Sequence, residues 1–173
     1  AITSVTYGYI NGAGRYYRGA DFQTGARFLT DNAGDFFVNL SIAYVDDERR
    51  SDTPGDPYVT IMEQERRLRS RSYLSASWTK NDWAAGVSTS RIGSMNYQSP
   101  RWDGKPNTKI DPYYDIGAFV RYDIEDGHYV ALSVSNLMDD VPKKNSDLGW
   151  PWFATYYYSP VGRELFLTYR YTF

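Results

Sequence analysis

One histidine and no cysteine stand in 173 residues, so thiolate nucleophiles, disulfide frameworks and multi-histidine metal clusters lie outside the chain's chemistry. Hydroxyls are plentiful, but a Ser-His-Asp relay needs its base near the nucleophile, and His128 falls in phase with the apolar residues of its segment. Carboxylates gather at Asp46, Asp47 and Glu48 and again at Asp139 and Asp140, without the ligand spacing of an EF-hand calcium loop. Gly12-Ala-Gly14 matches no phosphate-cradling pattern and reads as a tight turn. The residues therefore predict no catalytic set, no metal and no cofactor. Binding chemistry remains. Trp102, Trp150, Trp152, Phe153 and the run Tyr156-Tyr157-Tyr158 lie in long connecting stretches, where no core requires them. Aromatic faces there can stack on sugars or flat chelates, which makes Trp102, Trp150, Trp152, Tyr156 and Tyr157 candidate ligand contacts, with aromatic packing between neighbouring loops the equal alternative. Arg49, Arg50, Arg66, Arg67, Arg69 and Arg71 crowd the first of those stretches and can attract an anionic chelate. Asp46, Asp47, Glu48, Glu63 and Glu65 stand among them, so a self-neutralised loop is the equal alternative.

Those residues must be positioned by something, and the length allows one folding unit over 1–173. A formal net charge of -2 lacks the basic excess of a nucleic-acid binder, and nucleic acid is not an expected partner. Mean hydropathy of -0.58 and the lack of any apolar run near 18 residues exclude a transmembrane helix. Period-two alternation dominates instead, and the reading is all-β. In Arg163–Phe173, Leu165, Leu167, Tyr169, Tyr171 and Phe173 oppose Glu164, Thr168, Arg170 and Thr172, with Phe166 the apolar intruder. Tyr114–Ile124, His128–Leu137, Phe36–Val45, Ser72–Thr79, Trp83–Ser90 and Arg18–Phe28 alternate likewise, and Thr3–Ile10 is an eighth candidate.

Connection lengths alternate too. Short turns fall at Leu29–Asp35, Lys80–Asp82 and Glu125–Gly127, and long segments at Asp46–Arg71, Gly93–Pro112 and Asp139–Gly162. In an up-and-down antiparallel meander all short turns then share one rim, the pattern of a transmembrane β-barrel. Beside those turns the apolar row carries Phe28, Phe36, Trp78, Trp83 and Tyr122, the placement expected of a ring of interfacial aromatics in contact with a lipid bilayer. The opposite row carries Asp21, Arg27, Asp115, Arg121, Asp123, Glu164 and Arg170, which suits a wet lumen.

Two segments resemble a known family. Val134-Ser-Asn136-Leu137-Met-Asp139, a long loop, and Gly162-Arg163 leading an alternating strand to Phe173 are similar to the close of TonB-dependent outer-membrane transporters. Arg18-Gly19-Ala20-Asp21-Phe22 resembles a strand further upstream in the same barrels. Met138 stands where Phe is usual and Asp21 where Glu is usual. The resemblance implies about eight strands of a larger, about 22-stranded barrel in the bacterial outer membrane. It also implies uptake of a scarce small-molecule nutrient, an iron chelate or a carbohydrate. Tyr169, Tyr171 and Phe173 resemble the signal read by the outer-membrane insertion machinery. The expected partners are the N-terminal barrel and plug of the same transporter, neither of which this chain supplies, and the TonB complex acting through the plug. A complete eight-stranded barrel with a structural or adhesive role is the alternative.

Overall fold

The computed structural model describes residues 14–62, 67–97, 108–124, 127–144, 150–155 and 157–172. Ten strands form among them: β1 Arg15–Phe28, β2 Asp35–Arg50, β3 Val59–Thr60, β4 Ser70–Lys80, β5 Trp83–Ile92, β6 Met95–Tyr97, β7 Thr108–Ile110, β8 Tyr113–Ile124, β9 His128–Ser135 and β10 Glu164–Arg170. The described residues contain no helix. Eight strands make one antiparallel sheet in the order β1-β2-β4-β5-β8-β9-β10, with the two-residue β3 added beside β2, and β6 pairs only with β7. Among the described residues the sheet is not closed: β1 has only β2 beside it and β10 only β9. Seven of the eight segments expected from alternation are its long strands, and the eighth, Thr3–Ile10, lies outside the described residues.

Consecutive strands pair because short turns join them. Asn81, at φ 50°, makes the two-residue connection of β4 to β5, and Gly127, at φ 79°, precedes β9; both occupy the left-handed region that such turns use. Thr30 braces the turn before β2, where its Oγ1 accepts from Ala33 N at 3.0 Å. The first long connection is shorter than the alternation suggests. β2 continues to Arg50 and β1 begins at Arg15, because cross-strand ion pairs carry the pairing past the apolar rows. Arg18 holds Asp46 at 2.5 Å and Arg15 holds Glu48 at 2.5 Å. A β-bulge opposite Arg18/Gly19 re-aims the chain at that point.

Register aligns side chains into rows that cross the whole sheet. One row reads Phe28, Phe36, Trp78, Ala85, Val120, Leu132, Leu167, and the next reads Ala26, Val38, Ala76, Val87, Ala118, Val134, Leu165. Both are wholly apolar, and they stand open: Val87 is 57% exposed, Leu165 69% and Leu167 77%. The reverse face is polar and small, with Gly25, Asn39, Ser75, Ser88 and Gly117 in one row.

The buried core sits elsewhere. Met95, Ala154 and Tyr158 are buried together, with Leu68, Ile92, Ile110, Tyr113, Phe153 and Tyr157 packed around them. These residues come from the three long connections and the strand ends beside them, so the core is a cap at the long-loop rim. Of the two readings of the loop aromatics, packing between neighbouring loops holds for Phe153, Tyr157 and Tyr158, since apolar surface in three neighbouring loops is buried by packing together. Tyr113 meets Tyr158 edge to face at 5.3 Å.

Candidate functional site

Phe37, Ser77, Gly86, Phe119, Ser133 and Phe166 fall in one row of the polar face. Three phenylalanines of this row thus stand on one wall. With Tyr73, Asn39, Ser75, Ser88, Asp115 and Ser135 they line a hollow of about 560 Å³, in which four rings stand among serine hydroxyls. Gly86 makes room for one of them: a Cβ there would come within 2.6 Å of Phe119 Cε1. Toward the short-turn rim the same face holds Arg27 against Asp35 at 2.9 Å, and Arg121 against Asp123 with the guanidinium 4.3 Å from the Tyr129 ring centre.

A second hollow, of about 430 Å³, lies at the long-loop end of this face and is lined by Arg15, Tyr17, Glu48, Arg67, Arg69, Arg71 and Tyr157. β4 delivers Arg71 to the polar side, in the row of Asp21 and Ala43, and Val45 N donates to Arg69 O at 2.8 Å, which extends the ladder before β4 begins. Glu48 is only 6% exposed and forms ion pairs with Arg15 at 2.5 Å and Arg67 at 3.6 Å. The Arg71 guanidinium stands 5.4 Å over the Tyr157 ring. Among the described residues, then, four guanidinium groups and one carboxylate line this hollow.

The structure sorts the arginines that the sequence leaves ambiguous, except Arg66, which lies outside the described residues. Arg49 turns to Asp47 at 2.7 Å and Arg50 to Asp52 at 2.6 Å, and neither lines the hollow. Of the aromatic candidates only Tyr157 lines it. Trp150 is 82% exposed, Trp152 lies 5.8 Å from Lys144 Nζ, and Trp102 and Tyr156 lie outside the described residues. Arg15 and Tyr17 are contributors that sequence reading missed. Their signal was the extension of β1, which depends on the ion pairs with β2.

The girdle candidates lie at one rim of the apolar face. Phe28, Phe36 and Trp78 share a row, and Trp83 and Tyr122 pair one row closer to the turns, their ring centres 4.8 Å apart. Trp78 Nε1 donates to Ala33 O at 2.7 Å, a polar tip met at the turn. His128 Nδ1 lies 2.6 Å from the Tyr169 hydroxyl, and its ring sits 4.2 Å from that of Tyr171, so the histidine belongs to the same aromatic rim. Of the insertion-signal residues, Tyr169 and Tyr171 join that rim and Phe173 lies outside the described residues.

The Asn136…Asp139…Gly162-Arg163 residues form a clamp. Asn136 leaves β9 at φ 48° and is buried. Its Nδ2 donates to Asp140 O at 2.7 Å and its Oδ1 accepts from Asp140 N at 3.0 Å, while its backbone N donates to Asp115 Oδ1 at 3.1 Å. Asp139 Oδ1 accepts from Arg163 N at 2.7 Å and lies 2.6 Å from where a Cβ on residue 162 would stand, so a side chain there would displace the carboxylate from Arg163 N. Both ends of the longest loop are thereby tied together at the start of β10. Among the described residues no three His, Cys, Asp or Glu side chains gather in metal-binding geometry. No protein-family model, curated protein or solved structure matches the chain.

Proposed function

We propose that this chain is the C-terminal wall of a TonB-dependent outer-membrane transporter barrel, taking up a scarce nutrient from outside the cell. One observation carries the reading: an antiparallel sheet seven long strands wide exposes a continuous apolar face with aromatic rings at its short-turn rim. Such a face is far larger than the few hundred Å² that soluble monomers leave open. From Tyr122 to Tyr114 it runs about 27 Å of strand, or roughly 20 Å of depth at a 40° tilt, near the ~25 Å band of outer-membrane barrels. Among the described strands β1 and β10 end the sheet as open edges, which supports a segment of a larger barrel, because unpaired backbone groups in hydrocarbon cost several kcal/mol each.

The test uses the protein that carries this chain, reconstituted in bilayers and presented to the periplasmic domain of TonB. Trp78 and Trp83 fluorescence is expected to be quenched by brominated lipid and spared by aqueous acrylamide, and TonB is expected to be retained. Quenching without TonB retention would leave a membrane barrel of another function, and acrylamide quenching alone would overturn the membrane reading.

A further inference from the structure

The larger hollow, in the middle of the polar wall, joins rings and hydroxyls on one surface. Phe37, Tyr73, Phe119 and Phe166 stand in it at 41–48% exposure, so none of the four rings is spent on filling an interior among the described residues. Phe119 and Phe166 lie opposite Ser133 from the strands on either side of it, which sets their backbones about 10 Å apart at ~4.8 Å per strand. Phe119 leans over Gly86, where a Cβ would press on its ring. No lysine or arginine is among the described residues that line the hollow, and Asp115, the one carboxylate there, accepts from Asn136 N at 3.1 Å. Toward the short-turn rim Arg27 and Arg121 are paired with Asp35 and Asp123.

A sugar is a solute whose surface has this same division. Its ring faces are C–H surfaces that rest on aromatic rings, and its rim is a set of hydroxyls that both donate and accept. Serine hydroxyls do both and the Asn39 amide offers both kinds of group, whereas an oxyanion calls for donors and fixed positive charge. A volume of about 560 Å³ falls within the ~300–1,000 Å³ of small-molecule sites and suits a short oligosaccharide. The hollow opens on the face opposite the apolar rows, so its occupant is a dissolved solute and not a lipid. Resting on the transporter reading above, we propose that this hollow is a carbohydrate subsite: it takes a neutral oligosaccharide whose sugar faces stack on Phe119 and Phe166 and whose hydroxyls are met by Ser88, Ser133 and Ser135. The nutrient is then a neutral glycan and not an anionic iron chelate.

The whole protein that carries this chain, reconstituted in bilayers, is titrated calorimetrically with maltotetraose, cellotetraose, xylotetraose and ferric citrate. At least one of the three glycans is expected to bind, with an affinity indifferent to salt, and ferric citrate is expected not to compete with it. Combining Phe119→Ala with Phe166→Ala should weaken glycan binding at least about tenfold, since each replacement removes a stacking face. Arg50→Gln, outside the hollow, should leave it unchanged. Should the double variant fail to fold, Phe166→Leu decides: it keeps apolar bulk, removes the flat face, and should weaken binding at least about threefold. Glycan affinity unmoved by these variants overturns the proposal, and a urea midpoint that falls at the same time makes the hollow a packing surface for another part of the same protein. Failure of all three glycans to bind a protein whose Trp83 is quenched by brominated lipid and which retains TonB also overturns it, and leaves the transporter reading standing. Loss of the quenching or of TonB retention overturns that reading itself.

Discussion

The sheet and the loop cap are built on opposite principles. Within the seven long strands Glu48 is the only buried residue, and the apolar side chains from Phe28 across to Leu167 stand open. Beneath the loops, Met95, Ala154 and Tyr158 are buried to 7% exposure or less by residues of the same chain. The cap supplies its own interior. The sheet is held by backbone ladders and leaves both faces for something else to cover, which is what a wall between hydrocarbon and a wet lumen requires. The comparison teaches that stability is carried in two separable places, one sensitive to volume and the other to what surrounds it.

Tyr158→Ala should break the cap and spare the sheet. Emptying a buried aromatic site costs about 3–5 kcal/mol, read as protease cleavage within 136–163 while the β-sheet circular dichroism persists. Sheet loss together with loop cleavage would erase the distinction between the two regions. Val87→Arg probes the other side. At the centre of the apolar rows it should cost about 2–4 kcal/mol of folding in bilayers, whereas Ser88→Arg on the reverse face should cost under about 1 kcal/mol. Equal effects in urea titrations would mean that the two faces meet the same medium. Asn136→Ala, at the junction of the two regions, removes the partner of Asp140 N and leaves Asp140 O only its bond from the Tyr113 hydroxyl, and should cost about 1–3 kcal/mol, read as faster hydrogen exchange at Arg163 and the first residues of β10. Unchanged exchange there would remove the clamp from the account. Arg27→Gln loses only an exposed ion pair with Asp35 and should cost under about 1 kcal/mol, read as a shift in the urea midpoint. A larger shift would mean that the polar wall carries more of the stability than its exposure implies.

Alternation made the strands legible because a half-exposed strand must change character at every residue, and Leu165, Leu167 and Tyr169 against Glu164, Thr168 and Arg170 leave one reading. The extension of β2 through Asp46–Arg50 was not legible, since five charged residues in a row obey no period and are held by partners on β1. The same blindness hid the arginine hollow. Composition placed arginines and acids in one stretch, and only the fold turned Arg49 and Arg50 away while gathering Arg15, Arg67, Arg69 and Arg71.

The sequence by itself determined the identity of the long strands, the two chemical faces and the rim at which short turns and aromatic rings meet. Each of these is encoded locally, by side-chain period or by turn chemistry. Tertiary structure alone decided which intruders on the polar face become neighbours. Phe37, Phe119 and Phe166 sit on three strands that do not follow one another in the chain, and they share a row because hydrogen-bond register, summed over five strand pairings, brings them level. It also decided that the loop aromatics split, with Tyr157 and Tyr158 drawn into a core and Trp150 left in solvent, because burial depends on how three distant loops pack and not on the composition of any one of them.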